Sequence, residues 1–282
     1  MSIRRVPLFV LLFVFAVPAA TLAGGGGAES PGAIHDRFTI GLGFFLPSYN
    51  TNTLVSAPEI PGSGVDLEDD LGFKADDSVF RLDGRWRISG RHNLAFTYLS
   101  LQRGSDKEIQ TEIHWEDLVF DVGVRLRGNF DVDLYKVVYH YQLIQNETWE
   151  MGVGAGVSFI DFRFGVAGEA RVVGGDVDET RQASWEKSVL VPVPALNVNA
   201  SWALLPNLYL SGLAEYLRGS YDGKEAIYSD MNFAVTWYPW KNVGFAAFYD
   251  FFKIMYQDNG QDFTGRVDYR YKGPGLRVNF VF

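Results

Sequence analysis

Phe80-Arg81-Leu82-Asp83-Gly84-Arg85-Trp86-Arg87-Ile88 alternates without a break. Phe80, Leu82, Trp86 and Ile88 share one parity, and Arg81, Asp83, Arg85 and Arg87 share the other. That is the two-residue period of a strand with unlike faces. Four charges on one face cannot lie against lipid, and the dry core of a sandwich is a poor place for them. A sheet that is apolar outside and polar inside satisfies both conditions.

The same alternation recurs along the chain. Phe38, Ile40, Leu42 and Phe44 oppose Thr39, Gly41 and Gly43. Leu94, Phe96 and Tyr98 begin a third strand, whose upper register is left open by Leu99 and Leu101 on the other parity. Tyr135, Val137, Tyr139 and Tyr141 oppose Lys136, His140 and Gln142. Met151, Val153, Ala155, Val157 and Phe159 oppose Gly152, Gly154, Gly156 and Ser158. Leu196, Val198, Ala200 and Trp202 oppose Asn197, Asn199 and Ser201, and Leu208, Leu210, Ala214 and Tyr216 oppose Ser211 and Glu215. Met231, Phe233, Val235 and Trp237 oppose Asp230, Asn232 and Thr236. Val243, Phe245, Ala247, Tyr249 and Phe251 oppose Gly244, Ala246 and Asp250. The last strand starts near Phe263, with a bulge expected at Gly273-Pro274-Gly275, and puts Leu276, Val278, Phe280 and Phe282 opposite Arg277 and Asn279.

These segments make ten strands. Four connections are short: Ser89–Arg91, Gln145–Thr148, Leu205–Asn207 and Pro239–Lys241. Five are read as longer: Asn50–Asp77, Arg103–Phe130, Gly165–Glu186, Gly219–Lys224 and Gln257–Asp262. Regular alternation of short turns with long loops, and an even strand number, describe a membrane barrel. Trp86, Trp149, Trp202, Trp237 and Trp240 all lie beside short connections, as interface aromatics do. The expected fold is therefore all-β: a transmembrane antiparallel up-and-down β-barrel of about ten strands, with both termini periplasmic. Eight or twelve strands are the alternatives.

Arg4 and Arg5 precede an apolar run from Val6 to Ala20 and then Thr21-Leu22-Ala23, which reads as a cleavable signal peptide over residues 1–23. The run is short of the ~20 residues a spanning helix needs, and Pro18 interrupts it. Residues 24–36 read as a flexible leader and 37–282 as the barrel. The chain has 22 Phe, 14 Tyr, 7 Trp and 30 Gly, so aromatic strands and tight turns dominate. Without cysteine it has no disulfide or thiolate chemistry, and its net charge of −9 argues against nucleic acid.

Phe280 and the terminal Phe282 resemble the signal read by the outer-membrane barrel assembly machinery. Arg81–Arg87, Asp131–Tyr139 and Trp237–Trp240 resemble a group of uncharacterised proteobacterial outer-membrane β-barrel proteins, the OmpA-like and OmpW-like small barrels. The resemblance covers most of the mature chain. It implies the cell outer membrane of a Gram-negative bacterium, with outer-membrane lipid and lipopolysaccharide and the assembly machinery as partners, and it implies no activity.

By parity the lumen receives Arg81, Arg85, Arg87, Lys136 and Arg277 against Asp83, Glu215, Asp230 and Asp250, with Arg266, Asp268 and Arg270 joining near the outer rim. Near balance of sign favours a paired network that fills a narrow barrel. The alternative is a small pore lined by Arg81, Arg85 and Arg87 and favouring anions. A third reading is a surface hydrolase, omptin-like or lipid-modifying, using Asp76, Asp77 and His114 beside Glu116 and Asp117. The flanking residues do not match that chemistry. His35 lies in the leader, His92 beside a turn, and His140 on the lumen face as a hydrogen-bonding filler. Glu59, Asp66, Glu68, Asp69, Asp70, Asp76 and Asp77 crowd the first loop, which reads as a solvated acidic face rather than a cation site. The expectation is a monomeric, non-enzymatic barrel that needs no cofactor or metal, with a structural or ligand-binding role in its outer loops.

Overall fold

The computed structural model describes residues 36–56, 64–74, 78–110, 112–115, 118–172, 179–221, 224–259 and 264–282. The signal peptide, the leader up to His35, and Glu59, Asp76, Asp77, Glu116 and Asp117 lie outside the described residues, as does the side chain of His114. The strands are β1 (Phe38–Phe45), β2 (Ser48–Ser56), β3 (Gly64–Asp66), β4 (Val79–Ser89), β5 (His92–Glu108), β6 (Ile113–Trp115) and β7 (Leu118–Phe120). They continue as β8 (Arg125–Gln145), β9 (Trp149–Val172), β10 (Glu179–Leu205), β11 (Leu208–Tyr221), β12 (Lys224–Trp240), β13 (Val243–Asn259) and β14 (Thr264–Val281).

Ten staves close a ring in the order β1-β4-β5-β8-β9-β10-β11-β12-β13-β14, and β14 returns to β1. Closure leaves that last strand no free edge. At the seam Ile40 faces Phe280 and Phe44 faces Leu276, while the Phe282 and Phe38 amides each donate to the other's carbonyl at 2.9 and 3.2 Å. β2 continues the β1 stave along the upper part of β14, from Ser48↔Lys272 to Ser56↔Thr264. Pro47 has no amide to donate, and the stave is interrupted there. The register is not: the Leu46 amide donates to the Pro274 carbonyl at 2.9 Å.

The expected bulge at Gly273–Gly275 is absent. β14 keeps one register with β13 from Val243↔Phe280 to Asn259↔Thr264. The apparent slip in parity was a change of environment. Above Pro274 the outward positions turn polar and the inward ones aromatic.

A second correction concerns the connections. The short links are Gly90-Arg91, Asn146–Thr148, Pro206-Asn207 and Lys241-Asn242, all on one rim. On the other rim the strands run far into the stretches read as loops, with β9 reaching Val172, β10 starting at Glu179 and β11–β12 absorbing most of Gly219–Lys224. The asymmetry of the molecule lies in strand extension beyond the apolar band more than in loop length. Within Arg103–Phe130 a small hairpin, β6–β7, docks on the tip of β9 through Leu118↔Val172 and Val119↔Arg171.

The barrel interior has two layers. Polar and charged side chains fill the half next to the short turns. Phe45, Phe130, Phe248, Phe252, Tyr269 and Tyr271 are buried in the other half. Leu99 and Leu101 sit on the inner face and are buried, so β5 keeps its parity throughout.

Candidate ligand-binding cavity above a charged layer

Inward charges from strands far apart in the sequence meet across the interior because the barrel closes. Arg81 on β4 pairs with Asp250 on β13 and, at 2.8 Å, with Asp83. Asp83 also accepts from Arg277 at 2.7 Å and from the Thr97 hydroxyl at 2.8 Å. Gly41 makes room for this: a Cβ there would lie 2.5 Å from the Arg277 stem. Lys136 bridges Glu215 and Asp230, and Asn232 donates to Asp250. All nine residues read as lumen charges point inward, and each contacts an opposite charge.

Reading by parity missed one partner. Arg87 and Arg85 lie 2.8 and 3.5 Å from Glu150, whose side chain is 1% exposed. Glu150 shares the inward parity of Gly152, Gly154 and Gly156, so extending that strand by one step identifies it. Conversely, Arg266, Asp268 and Arg270 do not enter the lumen. They share the outward parity of Leu276 and Val278, because β14 has no bulge.

Phe248 marks the top of the charged layer. The Arg81 and Arg277 guanidinium carbons lie 5.1 and 5.6 Å from its ring centroid, and Phe45 stacks on it at 6.1 Å. Above it, Phe252 and Tyr271 stack at 4.6 Å, and Tyr269 meets Phe130 and Phe162 edge-on at 5.5 and 6.0 Å. Residues 64–74 of the first loop turn down into this layer and bury Leu67, Leu71 and Phe73. The lumen is therefore charge-filled only in one half.

Arg103 anchors that loop. It lies 2.5 Å from Glu68, and its guanidinium sits over Tyr49, Phe73 and Phe130 at 4.5, 5.5 and 5.4 Å. Burial raises the Glu68 carboxyl above its ordinary range, against the lowering effect of the Thr51 amide and of Arg103. Glu68 thus serves as a buried partner of Arg103, not as part of a solvated acidic face.

Beside the plug the wall opens. β10 pairs with β9 over its whole length, from Trp202↔Trp149 to Glu179↔Val172. It pairs with β11 only from Leu205↔Leu208 to Leu196↔Tyr216. Above Leu196 the two strands part, although β11 continues to Tyr221. Pro192 and Pro194 fall in this stretch and lack the amide a ladder needs.

A cavity of about 540 Å³ lies at this height, between β10 and the upper ends of β13 and β14. Phe130, Phe162, Phe164, Trp185, Val191 and Ile254 form its inner walls, and Leu190 and Pro192, on the outward parity of β10, form its mouth. Val189 faces inward and is still 48% exposed, because no β11 neighbour covers it. Lys187 and Arg266 are the charged residues at the edge. The volume lies within the range of small-molecule sites, and the lining is of the usual apolar and aromatic kind.

The interface aromatics Trp86, Trp149, Trp202, Trp237 and Trp240 all lie outward near the short-turn rim, with Trp149 and Trp202 stacked at 5.0 Å. His92 is there too, its Nδ1 2.5 Å from the Tyr139 hydroxyl, and His140 is buried on the lumen face. Among the described residues no group of three or more His, Cys, Asp or Glu side chains could hold a metal ion.

No family model matches the chain, and no curated protein sequence does. Among solved structures the chain is similar to the outer membrane protease OmpT of Escherichia coli, with TM-score 0.58 and 10% identity over 89% of this chain and 98% of that one. It also aligns with the outer membrane protein OprG of Pseudomonas aeruginosa, with TM-score 0.40 and 12% identity over 89% and 99% of the two chains. For the toluene transporter TodX of Pseudomonas putida the TM-score is 0.38 and the identity 6%, over 88% and 90%. The likeness to OmpT bears on fold alone: the chain is a β-barrel of the outer-membrane type.

Proposed function

We propose that the protein is a non-enzymatic, monomeric barrel of the Gram-negative outer membrane that binds a small, largely apolar molecule in its outer half and does not conduct ions through its lumen. The observation that carries this reading is the aromatic cavity between β10 and the upper ends of β13 and β14, reached past Leu190 and Pro192. Its mouth lies where the outward residues change character. Leu190, Pro192 and Pro194 are apolar on β10, and Arg218 follows Tyr216 on β11. An apolar molecule could therefore enter from the membrane side without crossing the plug.

The paired charges beneath the cavity support the absence of a through path, since each buried ion would cost several kcal/mol if it lost its partner to open a bore. Phe280 and Phe282 would serve assembly, and the tryptophan belt would set the periplasmic interface.

Fluorescence titration of the refolded barrel with an uncharged naphthylamine probe tests the reading. Saturable binding is expected, weakened about tenfold or more by Val191→Arg, which puts a charged side chain into the cavity. Binding that ignores this substitution would sink the proposal.

A further inference from the structure

The outer surface of β12, β13, β14 and β2 carries a second, polar cleft. Cross-strand register puts Ser229, Lys253, Arg270 and Asn50 side by side on the outward faces of β12, β13, β14 and β2. One step nearer the membrane, Phe251, Lys272 and Ser48 form a parallel row. Together they line a cavity of about 500 Å³. Directly below it come Tyr249, Leu276 and Leu46, all exposed and apolar. The cleft thus sits where the lipid-facing band ends.

Its charge is one-sided. Asp268 is the neighbouring acid, and it is taken up by Arg270 at 2.5 Å and Arg266 at 3.6 Å. Lys253 also lies close enough to Asp268 to feel its charge, so that one acid faces Arg266, Arg270 and Lys253, while no carboxylate lines the cleft itself and Lys272 adds a further cation. The opposite wall is the reverse, with Arg163 outnumbered by Asp131, Asp133 and Asp161 at 4.0, 2.5 and 3.5 Å. Like charges gathered at a membrane interface call for an anion, and the long lysine stems can lie along Phe251 while their ammonium groups reach upward.

We propose that this cleft binds a phosphate group of an outer-leaflet lipid. Lys253 and Lys272 are its main cations, and Arg270 is a third. Ser48, Asn50 and Ser229 supply neutral hydrogen bonds, while the acyl chains rest on Phe251, Tyr249 and Leu276. The site is separate from the aromatic cavity, so it stands or falls independently of that reading.

Native mass spectrometry of the purified full barrel, titrated with bisphosphorylated lipid A, its dephosphorylated form and inorganic phosphate, tests it. The phosphorylated lipid should bind about tenfold tighter than the dephosphorylated one, on the scale of ~1 kcal/mol per interfacial lysine. Lys253→Gln with Lys272→Gln should erase that preference, Lys253→Arg with Lys272→Arg should keep it, and Lys241→Gln in a short turn should leave it unchanged. Equal binding of the two lipids, or a preference that survives the glutamine pair, overturns the proposal. Inorganic phosphate that binds as tightly as the phosphorylated lipid would mark a soluble-anion site and overturn the lipid source.

Discussion

Lys136 holds two carboxylates, Glu215 and Asp230, deep in the barrel. Removing the cation leaves two buried acids facing each other with nothing between them. Lys136→Met should therefore destabilise the barrel by about 3–5 kcal/mol, and adding Glu215→Gln should recover part of the loss. Urea unfolding in lipid or detergent, followed by tryptophan fluorescence, measures both. A second residue gives a pH signature. Asp36 precedes β1 outside the spanning strands, and burial pushes its carboxyl from 3.8 up to about 6, against the pull of Arg85 and Arg87. The Tyr209 and Tyr238 hydroxyls are its other ionisable neighbours. Since its folded-state pKa exceeds the unfolded value, the folded state holds this proton more tightly. Its contribution is fully present below about pH 4 and is lost as pH rises through about 6. The urea midpoint should fall over that window in the wild type and much less in Asp36→Asn. At this scale the direction of each side chain was legible from alternation alone. Glu150 was missed where its strand was cut short, and the trio Arg266, Asp268 and Arg270 was misplaced by a bulge that β14 lacks.

Among the strands, β10 departs most from its neighbours. It is 27 residues long beside a β11 of 14, and the two pair only at their short-turn ends. The chain has no cysteine, so introduced pairs report this geometry without interference. Asn199→Cys with Leu213→Cys occupies directly opposed positions and should oxidise readily. Val193→Cys with Gly219→Cys extends the same register into the parted region, where the strands are not held within the ~4.4–6.8 Å that a disulfide spans. It should stay reduced under the same conditions, as scored by thiol labelling. Equally rapid oxidation of both pairs would mean that the wall is closed. The sequence could hint at this feature only through Pro192 and Pro194, since lack of a neighbour is a property of two strands together.

For the whole molecule, the charged layer and the aromatic layer are stacked in one cylinder, and the proposed reading has them close it. Planar-bilayer recording should show no stepwise conductance. Regular steps whose anion preference drops on neutralising Arg81, Arg85 and Arg87 would establish a pore instead. The closed ring also explains why the final strand carries so apolar an outer face. Leu276, Val278, Phe280 and Phe282 face outward, while Arg277 points back to Asp83 across the seam.

Side-chain direction in a strand is a local matter of two-residue periodicity, so the sequence by itself determined the ten-stave barrel, its lipid face, its tryptophan rim and the inward set of charges. Partnership inside a cylinder is not local. It depends on how strands are staggered when the sheet closes, and that stagger sets Arg81 against Asp250 and lets Lys136 reach both Glu215 and Asp230. The parting of β10 from β11, the aromatic cavity beside β10 and the lysine cleft on the outer face of β12–β14 and β2 were likewise decided only in three dimensions. Each is made by residues from separate strands, and where those strands pair or part is set by the assembled sheet.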